Sequence, residues 1–292
     1  MTPHPIARVS VISTGTVQIR PEHVESNGTP LLWWLNTSRS WTAPRPINVY
    51  VIEHSQGLVL FDTGQDRRST TDADYFPGGF VGHNYRRLAR FDIPANASLT
   101  EQLQALGYDI MDVRFAILSH LHQDHIGGLR ELPPTAKVLV SATELASVDD
   151  RFAVLGGLMR DHIMIPGLHW VPVTPSPTAD ESIAPFTEAF DVMGDGSLLL
   201  LPTPGHTPGS MSLLLRSPGL PSMLFVGDLT YDAALLAADR IPGVGRRTRL
   251  HETTRRVNRL TQHYPGMPIL AAHDPAAASR LESALVGHGA SR

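Results

Sequence analysis

The sequence predicts an α+β fold in which helices cover the outer faces of two packed sheets. Strand candidates arrive in clusters joined by short connections, which excludes a simple Rossmann alternation. No segment recurs at a period of about 20–50 residues, so repeat architectures are excluded as well. No clear linker divides the 292 residues, and one domain over 1–292 is expected.

The elements follow in chain order. Ala7 to Arg20 alternates in part between apolar and polar residues and reads as a strand. Ile47 to Glu53 and Gly57 to Phe61 flank His54-Ser55-Gln56, a connection of hairpin length. Residues 28–46, rich in Trp, Pro and Ser, and residues 65–84 are expected as long loops. Ser98-Leu99-Thr100-Glu101 is a capping-box pattern that opens a short helix, stopped by Gly107. Arg114 to Leu118 and Lys137 to Val140 read as strands, and Thr143 to Val148 as a helix. Three further strands are expected at Ser197 to Leu201, Met211 to Leu215 and Met223 to Val226. His251 to His263 reads as a helix, Pro268 to Ala271 as a strand, and Pro275 to Val286 as a last helix started by proline.

Composition narrows the chemistry. A hydrophobic content of 42% with 18% charged residues suits a globular chain with a sizeable core. The formal net charge of -4 argues against a general attraction to nucleic acid. The clusters Arg246-Arg247-Arg249 and Arg255-Arg256-Arg259 read as solvated loop and helix faces. The absence of cysteine removes disulfides, thiolate metal sites and cysteine nucleophiles together. Any metal must then be held by imidazole and carboxylate. Met1 to Ser10 lacks a basic stretch followed by an apolar core, and no apolar run reaches the ~20 residues that cross a bilayer. A cytoplasmic location with no membrane span is expected.

The strand Arg114 to Leu118 runs into His120-Leu121-His122-Gln123-Asp124-His125. In extended backbone, residues two apart point to the same side, so His120 and His122 can converge on one ion. The chain then turns, Asp124 and His125 face a neighbouring position, and Gly127-Gly128 supplies permissive backbone. Three histidines and a carboxylate so close desolvate and repel one another unless a cation compensates. More donors follow later apolar strands: His206 after Thr203-Pro204-Gly205, Asp228 after Phe225-Val226-Gly227, and His273 after Leu270-Ala271-Ala272. Loops at a sheet rim are where active sites are built. Standing alone, His206 or His273 would read as an ordinary surface or core histidine.

With Asp62-Thr63-Gly64 upstream, these residues make the stretch from Val49 to Asp274 resemble the metallo-β-lactamase superfamily. The resemblance implies an αββα sandwich, two mixed sheets flanked by helices, with metals at one edge. It implies that His120, His122 and His206 hold one ion, that Asp124, His125 and His273 hold a second, and that Asp228 bridges both. Asp62 resembles the carboxylate that orients a ligand histidine; an Asp before Thr-Gly also suits a turn by itself. The His and Asp donors suit two divalent ions per chain, zinc above all, with iron, manganese or cobalt fitting the same set. Two such ions generate hydroxide near neutral pH and polarise a carbonyl. The expected enzyme is a hydrolase of an ester, lactone, thioester, amide or phosphoester.

Asp228-Leu229-Thr230-Tyr231 resembles the Asp-x-x-Tyr of the N-acyl-homoserine lactonases, the quorum-quenching branch. The resemblance implies ring opening of these or related lactones by a metal-bridging hydroxide. Tyr231 would steady the oxyanion, and Asp124 would pass a proton to the leaving alkoxide. A buried tyrosine also packs structurally against a sheet. Trp33, Trp34, Tyr75, Phe76 and Phe80 are the candidate wall of an acyl-chain pocket, although paired tryptophans serve cores and dimer interfaces too. Ser210 departs from the branch, where many members carry a second histidine. The expected partner is a small lactone or ester, and the resemblance suggests a homodimer. The alternative is a hydrolase of the same fold acting on another ester, a thioester, a β-lactam or a phosphotriester. A nuclease is opposed by the acidic balance, and a di-iron redox protein by the little room left for a flavin domain.

Overall fold

Residues 4–290 are described by a computed structural model. The first sheet is built from β1 (Ile6–Ile19), β2 (Arg45–His54), β3 (Gly57–Phe61), β4 (Ala89–Asp92), β5 (Val113–Ile117), β6 (Lys137–Ser141) and β7 (His169–Val173). The second holds β8 (Ser176–Pro177), β9 (Glu188–Asp191), β10 (Leu198–Pro202), β11 (Met211–Leu215), β12 (Met223–Gly227) and β13 (Ile269–Ala271). Strand order is β4-β1-β2-β3-β5-β6-β7 in one sheet and β13-β12-β11-β10-β9-β8 in the other. Both sheets are mixed: β3, β5, β6 and β7 run parallel, as do β12 and β13, while the other pairs are antiparallel.

Residue alternation explains the layering. Leu198, Leu200, Leu213 and Phe225 face Ile52, Val59, Phe61 and Ile117 between the sheets. Their strand neighbours Leu199, Leu201, Leu214 and Leu224 point the other way, onto Leu250, Val257 and Leu260 of the helix Arg247–His263. On the first sheet Val51, Leu60 and Val138 pack outward on Leu99 and Leu103 of the helix Leu99–Ala105. A strand covered on both faces reads as a continuous apolar run, which is why Leu198 to Leu201 shows no polar alternation. Each fully buried leucine contributes about 1.5–3 kcal/mol. Helices therefore flank two mixed sheets, as expected. No helix among the described residues is long and apolar enough to cross a membrane.

The structure corrects both long loops. Residues 28–46 carry the helix Leu31–Thr37, and residues 65–84 carry Arg68–Thr71 and the start of Gly79–Leu88. Pro30 sets the entry to the first, and burial of Trp34 and Leu35 holds it, so packing rather than local propensity decides. β7 escaped the sequence because Pro172 interrupts it; a proline is tolerated there because β7 is an edge strand. The helix Arg247–His263 starts earlier than expected from His251.

Strand ends position the candidate site residues. β3, β5, β10, β12 and β13 release Asp62, His120, His206, Asp228 and His273 at one edge of the sandwich. The glycines after the histidine run serve close approach instead of permissive dihedrals: neither is among the positive-φ residues. A Cβ on Gly127 would lie 2.1 Å from Asp66 N, and one on Gly128 2.7 Å from Thr63 O. Gly127→Ala is expected to cost about 1–3 kcal/mol through this backbone collision. The check is a denaturant titration, where an unshifted midpoint would show that the Gln65-Asp66 backbone moves aside freely.

Candidate metal centre

Backbone bonds hold the loops of the centre together. Thr63 N–H donates to His125 O at 2.8 Å, and Gly127 N–H donates to Gly64 O at 2.6 Å. Across the sheets, Met211 N–H donates to Ser119 O at 2.9 Å. The buried Glu144 carboxylate accepts from Leu121 N–H at 3.2 Å, Thr207 Oγ1 at 2.8 Å and Gly209 N–H at 3.0 Å. It therefore ties the loop of His120 and His122 to the loop of His206. Ser210 completes the second loop by accepting from Thr207 N–H at 3.0 Å.

Hydrogen-bond partners decide which nitrogen of each ring faces inward. Carbonyls and carboxylates only accept, so their ring partners must donate. His125 Nδ1 donates to Asp62 Oδ2 at 2.8 Å, His273 Nδ1 to Pro46 O at 2.9 Å, and His122 Nε2 to Gly156 O at 2.9 Å. Ser119 Oγ donates to Asp62 Oδ2 at 3.0 Å and so accepts from His120 Nδ1 at 3.0 Å. In neutral rings this leaves Nε2 of His120, His125 and His273, and Nδ1 of His122, bare.

Those bare nitrogens meet one another and two carboxylates. His125 Nε2 and His273 Nε2 lie 3.3 and 3.5 Å from Asp228 Oδ1. His206 Nε2 lies 3.5 Å from Asp228 Oδ2 and 3.0 Å from His122 Nδ1. Asp124 Oδ2 is 3.4 Å from His273 Nε2. His120 Nε2, His125 Nε2, His273 Nε2 and Asp228 Oδ1 are buried without a hydrogen-bond partner. Lone pairs packed so closely away from water repel, and a cation between them reverses the sign. The donors group as His120-His122-His206, as His120-His125-Asp228 and as Asp124-His125-His273, each within 4.8 Å. The first and third groups share no residue, and the second links them. Orphaned nitrogens together with carboxylate oxygens fit divalent ions such as zinc.

The electrostatics divide the rings, with His120 and His206 lowered and His125 and His273 raised. Burial drives His120 well below its ordinary range, reinforced by His125, His122 and His206, and burial takes His206 down to about 3. For His125, burial is overcome by Asp228 and Asp62, which lift it well above that range. Burial would raise Asp124, but its bond with His273 and the charge of His125 hold it at about 2. Ionised carboxylates in a dry pocket draw positive charge.

Asp62 sits in a turn and also reaches His125. Its φ of 63° is the left-handed conformation that Asp adopts more readily than most residues, so it is a turn residue. The turn sends its carboxylate back to accept from Ser119 N–H at 2.7 Å, from Ser119 Oγ and from His125. Tyr231 is buried, and its Oη donates to Asp228 Oδ2 at 2.6 Å. Burial, then the Asp228 charge, pushes its pKa well up, so the phenol keeps its proton.

The five aromatic candidates do not form one wall. Trp33 is 64% exposed while Trp34 is buried against His23, because successive helical residues diverge around the axis. Phe80 is 70% exposed. Tyr75 is buried, donates to Gln65 Oε1 and packs on His162, while Phe76 packs among Tyr75, Tyr85 and Phe91. Sequence reasoning also missed Ser119, Glu144 and His23. Ser119 was findable as the residue before His120, and Glu144 as the one acid between Thr143 and Val148; His23 carried no signal.

Comparison with known proteins gives the same picture. The N-acyl homoserine lactonase AttM of Rhizobium johnstonii is 28% identical over 95% of this chain and 97% of its own length. The N-acyl homoserine lactonase AttM of Azorhizobium caulinodans is 30% identical over 79% of this chain and 82% of its own. The fold resembles that of a Bacillus thuringiensis AiiA variant with N-decanoyl-L-homoserine at its active site, with a TM-score of 0.73, 22% identity and coverage of 92% and 94% of the two chains. The model of the family described as metallo-beta-lactamase superfamily matches residues 42–280, a span that takes in Asp62 and all seven donors. With its donors at the strand ends and a match of that extent, the chain belongs to the metallo-beta-lactamase superfamily.

Proposed function

We propose that the chain is a metal-dependent hydrolase that opens the ring of N-acyl-homoserine lactones. The observation that carries this reading is the Tyr231 hydroxyl, 2.6 Å from Asp228 within the donor set. The lactonase names of the AttM relatives and the acyl-homoserine bound to the AiiA variant support the same substrate class. In this reading His120, His122 and His206 would hold one ion and Asp124, His125 and His273 a second, with Asp228 as the donor shared between them. Two zinc ions there, when bound, supply a water of lowered pKa and polarise the lactone carbonyl.

The chain's own residues do the rest. The Tyr231 hydroxyl proton, accepted by Asp228 Oδ2 in the structure, would turn from it to the oxygen that becomes negative as the carbonyl is attacked. Asp124, with 17% of its side chain exposed against 5% for Asp228, is the more accessible carboxylate. It would take at a carboxylate oxygen the proton given up by the attacking water and pass it to the ring oxygen as the ester bond breaks. Asp62 keeps Nδ1 of His125 protonated and its Nε2 turned inward. Exposed Leu32, Trp33 and Phe80 offer apolar surface to an acyl chain.

Zinc-loaded protein is expected to open N-decanoyl-L-homoserine lactone, to lose this activity on chelation and to regain it with zinc. Turnover of a phosphotriester, thioester or β-lactam with none of any lactone would sink the reading. Tyr231→Phe is expected to lower kcat about 100-fold with little change in KM; unchanged kcat would make Tyr231 a packing residue. Asp62→Asn, which tolerates the same φ, is expected to weaken metal affinity about 10- to 100-fold in a chelator competition. Equal affinities would leave Asp62 with its turn alone.

A further inference from the structure

Tyr231 Oη has a second neighbour. His23, on the one-turn helix Pro21–Val24, brings Nε2 to 2.9 Å from it. The two rings meet edge-on with centroids 4.9 Å apart, and Trp34 closes the other side of His23 at 6.1 Å. Gly243 N–H donates to His23 O at 3.1 Å. That approach needs glycine, since a Cβ on Gly243 would lie 2.0 Å from Glu22 O. His23 is thus a buried imidazole fixed from several directions, and it belongs to none of the three donor groups.

We propose that His23 is a positioning residue that sets the direction of the Tyr231 proton, an inference that rests on the lactonase reading. The Asp228 carboxylate can only accept, so the single phenol proton goes toward Asp228. The 2.9 Å contact is then a bond donated by His23 Nε2–H to Tyr231 Oη. This tautomer leaves Nδ1 bare. In the opposite tautomer Nδ1–H would be a buried donor with no acceptor, because Nδ1 has no partner in the structure. A donor pressed on the far side of Oη prevents the phenol from turning its proton toward the Pro21–Val24 helix. The proton stays aimed at the Asp228 side, where the substrate oxygen gains charge. His23 acts on the reaction only through Tyr231.

Ring tautomers read by 15N NMR on the metal-free and zinc-loaded chains give the direct test. His23 is expected with its proton on Nε2; a proton on Nδ1, with Nε2 accepting from Tyr231, overturns the proposal. With N-decanoyl-L-homoserine lactone, His23→Leu is expected to lose about 10- to 100-fold in kcat with KM nearly unchanged and zinc content full. His23→Gln, whose amide can donate to Oη, is expected to recover most of that loss. In a Tyr231→Phe background His23→Leu is expected to cost nothing more, because the hydroxyl it directs is gone. The same fold loss in both backgrounds would mean that His23 only supports the fold, and would overturn the proposal. If the parent opens no lactone, the lactonase reading fails, and the tautomer still decides the bond between His23 and Tyr231.

Discussion

The Asp62 carboxylate is the constraint on which the centre depends. It sits where β3 ends in a left-handed turn and accepts from both the backbone and the side chain of Ser119, at the end of β5, and from the ring of His125. One oxygen thus fixes the tautomer of His125 directly and that of His120 through Ser119. Two rings from different positions in the histidine run are turned the same way by one group that never enters the donor set. The remaining orientations come from main-chain carbonyls, Pro46 for His273 and Gly156 for His122. Such fixed outer partners hold ring directions at a strand-end site, where loops alone would leave them free.

How much of this was legible in the sequence follows from the range of each interaction. His120 to His125 announced itself because its chemistry is local: four titratable groups in six residues demand a cation wherever they fold. His206, Asp228 and His273 were legible as residues placed just after apolar runs, a signal that depends on strand position and not on contact. The capping box at Ser98 and Glu101 was read correctly for the same reason, since both of its bonds span three residues. The helices at 31–37 and 79–88 were not legible, because burial of Trp34 and docking of the two segments hold them, through bonds such as Arg87 Nε to Leu35 O. His23 lies 208 residues from Tyr231, and nothing in its own neighbourhood points to a partner that distant.

The aromatic residues mark the same boundary from the other side. Their composition suggested one apolar wall, yet the backbone sends Trp34 and Tyr75 inward and leaves Trp33 and Phe80 at the surface. Residue type reports what a side chain can do. Its direction is set by helix geometry, which sequence reading could apply only after placing the helices.

The division of donors between the sheets has a consequence for assembly. His120, His122, Asp124 and His125 belong to strand ends of the first sheet, while His206, Asp228 and His273 belong to the second. A chain that has formed only its first sheet holds two of the three donors of each group and lacks the third. The complete centre therefore arises only when the sheets dock, at the stage where contacts of long sequence separation close. Its geometry records that folding has finished, because no partly formed chain brings the seven donors together.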